Sequence, residues 1–117
     1  MSSKVTIYHN PRCTKSRQTL QLIRDAGVEP EIVEYLKSPP TTAEIDSILK
    51  KLKLEPLDAV RRKEAVFKEL GLNSDTSRED AISAMAENPI LIERPIVVRG
   101  RKAVIGRPPE NVNDLLD

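Results

Sequence analysis

An apolar-rich run from Lys4 to Tyr8, with Val5 and Ile7 at alternate positions, predicts an inner strand. Asn10-Pro11 breaks it. Leu20, Leu22, Ile23 and Ala26 then recur at helical spacing, and Gly27 suits the residue just past a helix end. Thr14 or Ser16 is the expected cap at the start of that helix. Ile32, Val33, Tyr35 and Leu36 follow as a second strand, with Glu34 facing outward. Strand, helix and strand joined by short links predict a right-handed crossover and parallel pairing.

The middle of the chain changes period. Ser38-Pro39-Pro40-Thr41-Thr42 reads as a rigid turn, and Thr41 or Thr42 caps a helix bearing Ile45, Ile48, Leu49 and Leu52. A short helix follows Pro56, and Val66, Phe67 and Leu70 extend the apolar positions to a stop at Gly71. Ala81, Ile82, Met85 and Ala86 mark a further helix capped near Ser77 and ended by Asn88-Pro89. Ile90, Leu91 and Ile92 are expected to be buried against the helical part. Ile96 to Val98 and Ala103 to Ile105 then form an antiparallel hairpin about Gly100. A last amphipathic helix runs from Glu110 to Leu116, with Pro108 or Pro109 at its start. The expected fold class is α/β, one four-stranded mixed sheet in the order β-α-β, helices, β-β-α.

Composition narrows the function. A chain of 117 residues is one domain, 1–117, by default. Aromatic residues make up 3% and Trp is absent, so the core is aliphatic. The formal net charge of +1 predicts no nucleic-acid partner, which would need a basic excess or patch. The N-terminus lacks a signal-peptide run and no segment reaches transmembrane length, so no membrane association and a cytoplasmic setting are expected. The single cysteine cannot form an internal disulfide, so any oxidised state needs a thiol from another molecule.

That cysteine lies in Tyr8-His9-Asn10-Pro11-Arg12-Cys13-Thr14-Lys15-Ser16-Arg17, between the first strand and the first helix. Free backbone N–H groups at a helix start attract anions, and Arg12, Lys15 and Arg17 add positive charge with no carboxylate among them. Cys13 is therefore expected to favour its thiolate. A Cys-x-x-Cys motif is excluded by Ser16, and a phosphatase loop by Thr19 six residues on. With one Cys and one His, no metal site is expected. His9 reads either as a base or hydrogen-bond partner of the thiolate, or as a structural side chain. Ser16 reads as a donor to the thiolate or to its own backbone, and Arg17 as a ligand of an oxyanion or of a carboxylate. Arg94 and Arg107 lie where strands meet loops, whereas Arg99, Arg101 and Lys102 read as solvated hairpin surface. Three arginines around one thiolate would suit a tetrahedral dianion, with Arg61 or Arg62 as the third.

These stretches, together with Tyr35-Leu36-Lys37-Ser38-Pro39-Pro40-Thr41, Phe67-Lys68-Glu69-Leu70-Gly71-Leu72, Asn88 to Val98 and Gly106-Arg107-Pro108-Pro109, resemble the glutaredoxin-coupled arsenate reductases. The resemblance covers nearly the whole chain and implies a thioredoxin-like core, 4–36 and 95–117, with a mostly helical insertion at about 42–87. It implies Cys13 as nucleophile, and His9, Ser16 and Arg17 as residues that lower its pKa and hold it. Arg61, Arg94 and Arg107 would bind the oxyanion, with Arg62 left as an alternative to Arg61. Pro95 matches a cis proline beside the site. The reaction implied is arsenate reduction through a Cys13 adduct, with glutathione as co-substrate, glutaredoxin as protein partner, no bound cofactor and a monomeric enzyme. Rival readings are a general glutathione-linked thiol oxidoreductase and a same-fold protein that regulates transcription.

Overall fold

The computed structural model describes residues 4–116. In chain order its elements are β1 (Val5–His9), α1 (Thr14–Asp25), β2 (Glu31–Glu34), α2 (Thr42–Leu52), α3 (Ala65–Leu70), α4 (Arg78–Glu87), β3 (Ile96–Arg99), β4 (Lys102–Ile105) and α5 (Asn113–Leu116). Short 3₁₀ turns lie at Pro56–Ala59, Pro89–Leu91 and Pro109–Val112. The chain divides into two compact units, Met1–Ser38 with Arg94–Asp117, and Pro39–Glu93.

The first unit is a four-stranded mixed sheet in the order β2-β1-β3-β4. β1 and β2 are parallel, as a helical crossover permits, while β1–β3 and β3–β4 are antiparallel. The register sets Val97 opposite Ile7, and Val104 opposite Val97. Alternation then puts Val5, Ile7 and Val97 on one face, where they pack with Leu20 and Ile23 of α1 and with Val112 and Leu115. Ile7, Ile23, Val97 and Val112 have no exposed surface. Each such side chain contributes about 1.5–3 kcal/mol through burial. This face holds α1 against the sheet and so fixes its first turn over the C-terminal end of β1.

Several boundaries differ from the periodic reading. β2 ends at Glu34 because the amides of Lys37 and Ser38 both donate to the Glu34 carbonyl, 2.9 Å each, and curl Tyr35 and Leu36 into a turn. Cys13 itself occupies the cap position of α1, in extended conformation, and Thr14 is already helical. The last helix is a 3₁₀ turn followed by one α-turn. Arg99 is half-buried and donates to the Leu115 carbonyl at 2.8 Å, so it closes the C-terminal turn and is not solvated surface. At the end of α1, Gly27 has φ +83° and lets the Val28 amide turn back to the Ile23 carbonyl.

In the second unit, Thr41 caps α2 through a reciprocal box. The Glu44 amide donates to Thr41 Oγ1, and the Thr41 amide to Glu44 Oε1, both at 3.1 Å. α2 buries Ile45, Ile48 and Leu49, and α4 buries Ala81, Ile82, Ala84 and Met85. Arg78 of α4 forks onto Asp46 of α2 at 2.8 and 3.1 Å, and holds its carboxyl below the usual range, with Lys50 adding to the effect. Leu91 and Ile92 are buried as expected, but Ile90 is 45% exposed because the 3₁₀ turn points it outward. Among the described residues, no helix is long and apolar enough to cross a membrane, and no group of three or more His, Cys, Asp or Glu is placed to hold a metal.

Candidate active site

The loop from β1 to α1 is built on Asn10. Its side-chain Oδ1 accepts the Arg12 amide at 3.0 Å, and its carbonyl accepts the Cys13 amide at 3.0 Å. This Asx turn reverses the chain within three residues and sets Cys13 at the helix start. The Cys13 carbonyl then accepts the Arg17 amide, the first helical bond. No side chain caps α1 and its first turn carries no acid. The partial positive charge there is left to act on the sulfur.

Cys13 is 9% exposed. Burial pushes its thiol up, but the Ser16 backbone amide, Arg94 and Arg107 together outweigh burial and bring it below the ordinary thiol value. An Arg107 terminal nitrogen stands 3.6 Å from Sγ, a hydrogen-bond distance for the larger sulfur atom. Arg107 is oriented by its own Nε, which donates to the Arg94 carbonyl at 2.7 Å. Arg94 adds a hydrogen bond and its positive charge on the same sulfur. Both arginines precede cis prolines, Pro95 and Pro108.

His9 is buried at the end of β1, and its Nδ1 lies 2.6 Å from Ser16 Oγ. That hydroxyl also accepts the Asn10 amide at 3.1 Å. Burial lowers the His9 pKa, with Glu34 opposing and Arg24 and Arg17 assisting. The ring tautomer decides which of the two atoms donates. The described hydrogen bond of His9 thus goes to Ser16, not to Cys13, and Ser16 acts on the sulfur through its amide while its hydroxyl ties loop to strand. Arg17 donates to the Pro11 carbonyl at 2.9 Å and to Thr14 Oγ1 at 3.2 Å, so it braces the loop, and it meets no carboxylate among the described residues. In the second unit, the Arg61 guanidinium pairs with Glu64, and its amide donates to the Leu91 carbonyl beside a Val60–Ile92 bridge. Arg62 is exposed and donates to the Leu57 carbonyl.

A buried thiol with a lowered pKa, at an uncapped helix start and beside two guanidinium groups, has the chemistry to hold an anion and to act as a nucleophile. The profile of the ArsC family matches residues 8–115. The chain is a member of the ArsC family. It is 50% identical to the uncharacterized protein YfgD of Escherichia coli (strain K12), over 99% of each chain. It is 49% identical to an arsenate reductase of Rhizobium meliloti (strain 1021), over 96% of this chain and 81% of that one. The solved arsenate reductase from Vibrio cholerae superimposes with a TM-score of 0.94 at 44% identity, covering 98% of this chain and 99% of that chain. The family assignment therefore carries the thioredoxin-like α/β fold with it.

Two residues that shape the Cys13 loop and its helix were not singled out from sequence. Asn10 reads there only as half of a strand-breaking Asn-Pro pair, although Asn two residues before an amide is also the Asx-turn signal. Thr19 enters there only as the residue that excludes a phosphatase loop, yet it is fully buried and donates to the Lys15 carbonyl at 2.8 Å. Its depth depends on the loop after β4, which helical periodicity does not register.

Proposed function

We propose that this ArsC-family chain reduces arsenate to arsenite, with the Cys13 thiolate as nucleophile. The observation that carries the reading is the Arg107 guanidinium 3.6 Å from a sulfur already biased toward its anion. Relatives named arsenate reductase at 40–49% identity support the substrate. Arsenate binds against Arg94, Arg107 and the amides that open α1. The thiolate attacks arsenic, one arsenate oxygen takes up protons and leaves as water, and a Cys13–arsenate thioester-like adduct remains. Fixed guanidinium groups hold the charge on the remaining oxygens.

The lone cysteine requires an outside thiol for the next step. A glutathione thiolate attacks Cys13 Sγ and forms a mixed disulfide. The electron pair of the sulfur–arsenic bond stays on arsenic, which leaves as arsenite. Glutaredoxin then reduces the mixed disulfide and returns the Cys13 thiol. Purified protein with glutathione, glutaredoxin and arsenate is expected to release arsenite, and Arg94→Ala is expected to lower that rate steeply. Arsenite release by Cys13→Ser under the same conditions would overturn the mechanism. Equal turnover of glutathionylated peptides by the wild type and Arg94→Ala, with no arsenite from either, would favour a general thiol oxidoreductase instead.

A further inference from the structure

The two arginines that act on Cys13 are separated from it by more than 80 residues of chain, and something must set their distance from the sulfur. The contacts converge on Gly106, between β4 and Arg107. Its amide donates to the Pro95 carbonyl at 2.9 Å. A Cβ at this position would lie 2.5 Å from Thr19 Oγ1, 3.1 Å from Thr19 Cγ2 and 2.8 Å from Pro95 Cγ. Thr19 Oγ1 is also 3.5 Å from the Gly106 carbonyl. Thr19 and Pro95 are both fully buried. A buried threonine held to its own helix and a proline ring have no free rotamer to yield with, so backbone must move if the space is filled.

We infer that Thr19, Gly106 and Pro95 form a close-packed joint that sets Arg107 and Arg94 against the Cys13 sulfur, with Gly106 and Thr19 as positioning residues of the anion site. Each member is covalently next to, or on the same rigid element as, one part of the site. Gly106 precedes Arg107, Pro95 follows Arg94, and Thr19 lies on α1, whose cap is Cys13. The joint therefore transmits the position of the helix to both guanidinium groups within one layer of side chains. Glycine is required here for close approach, because its φ is not in the left-handed region that otherwise favours it. The inference rests on the proposed role of Cys13 as the group that Arg94 and Arg107 activate, and not on arsenate being the substrate.

Three variants test it, Gly106→Ala, Thr19→Ala and the two combined. The readouts are the pH dependence of Cys13 alkylation by iodoacetamide and the affinity for inorganic sulfate. Far-UV circular dichroism marks the folded fraction. Gly106→Ala is expected to move the alkylation midpoint upward, as the arginines withdraw from sulfur. Sulfate affinity is expected to fall roughly tenfold or more, the size of one lost charge-assisted hydrogen bond. Thr19→Ala removes two of the three collisions, so the combined variant is expected to recover part of both losses. A joint that only supports the fold would lower the folded fraction and leave the midpoint of the folded protein in place. An unchanged midpoint in folded Gly106→Ala, or a combined variant no better than Gly106→Ala, would overturn the inference. Should Gly106→Ala fail to fold, Thr19→Ala decides it, since the gap it leaves must also raise the midpoint. If no variant or wild type binds sulfate while the midpoints shift as expected, the joint stands and the anion reading fails.

Discussion

The starts of α1 and α2 present the same problem with opposite solutions. Each helix leaves backbone N–H groups without helical partners at its first turn. At α2, Thr41 and Glu44 satisfy two of them reciprocally, and Glu44 places an acid where the helix dipole favours one. At α1 the cap is Cys13, no side chain closes the turn, and the first turn carries Lys15 in place of an acid. The α2 start is finished for stability. The α1 start keeps its positive end available, and the chain sets there a thiol whose pKa lies below the ordinary value. Arg94 and Arg107 reinforce the bias across the sheet. The helix start that carries the thiol is thus marked by the cap it lacks, and local stability is given up to leave it open.

Substitutions that move either helix start toward the other sharpen this contrast. The largest effect is expected from Cys13→Ser, which converts the α1 start into an ordinary cap. Arsenite formation should fall to background while thermal stability holds or rises, since Ser is among the preferred capping residues. A measurable loss of stability would show that the thiol, not the cap position, supports the helix. Removing the α2 cap by Thr41→Ala should lower stability by about 1 kcal/mol in urea unfolding, with no change in the Cys13 alkylation midpoint. A shifted midpoint would mean that the two helix starts are coupled.

A smaller effect is expected from Lys15→Glu, which gives α1 the acid that α2 has. The exchange should stabilise the helix by roughly 0.3–1 kcal/mol. It should also raise the Cys13 alkylation midpoint, because the acid opposes the thiolate. Gain in stability without change in the midpoint would separate the helix dipole from thiol activation. The smallest expected effect is in the pH dependence of His9. Burial holds its folded pKa below the ordinary value of 6.5. The unfolded chain therefore binds the proton first as pH falls. Its contribution to stability is complete above about pH 6.5 and declines as pH drops toward the folded pKa. His9→Gln should flatten that part of the stability–pH curve. A curve with the same slope in the variant would assign it to other groups, such as the Asp46–Arg78 pair, whose contribution is lost at lower pH as the depressed carboxyl protonates.

Much of the fold was legible because its signals are local. Alternation at Val5 and Ile7, helical spacing from Leu20 to Ile23 and the Gly100 hairpin each depend on residues a few positions apart. Where the structure departs from that local reading, hydrogen bonds decide. Tyr35 and Leu36 carry the residue types of a strand, yet two amides on the Glu34 carbonyl turned them. Arg99 reads as hairpin surface because its acceptor, the Leu115 carbonyl, lies 16 residues away.

By itself the sequence determined that a single thiol sits between a strand and a helix, among basic side chains and with no internal disulfide partner. Chain connectivity and residue type suffice for that. Only the tertiary structure decided that Arg107, 94 residues from Cys13, reaches its sulfur, that His9 turns to Ser16, and that Gly106 must lack a side chain. Those distances follow from sheet register and from the packing of α1 on the sheet, which sum contacts over the whole unit and leave no mark in any short window of sequence.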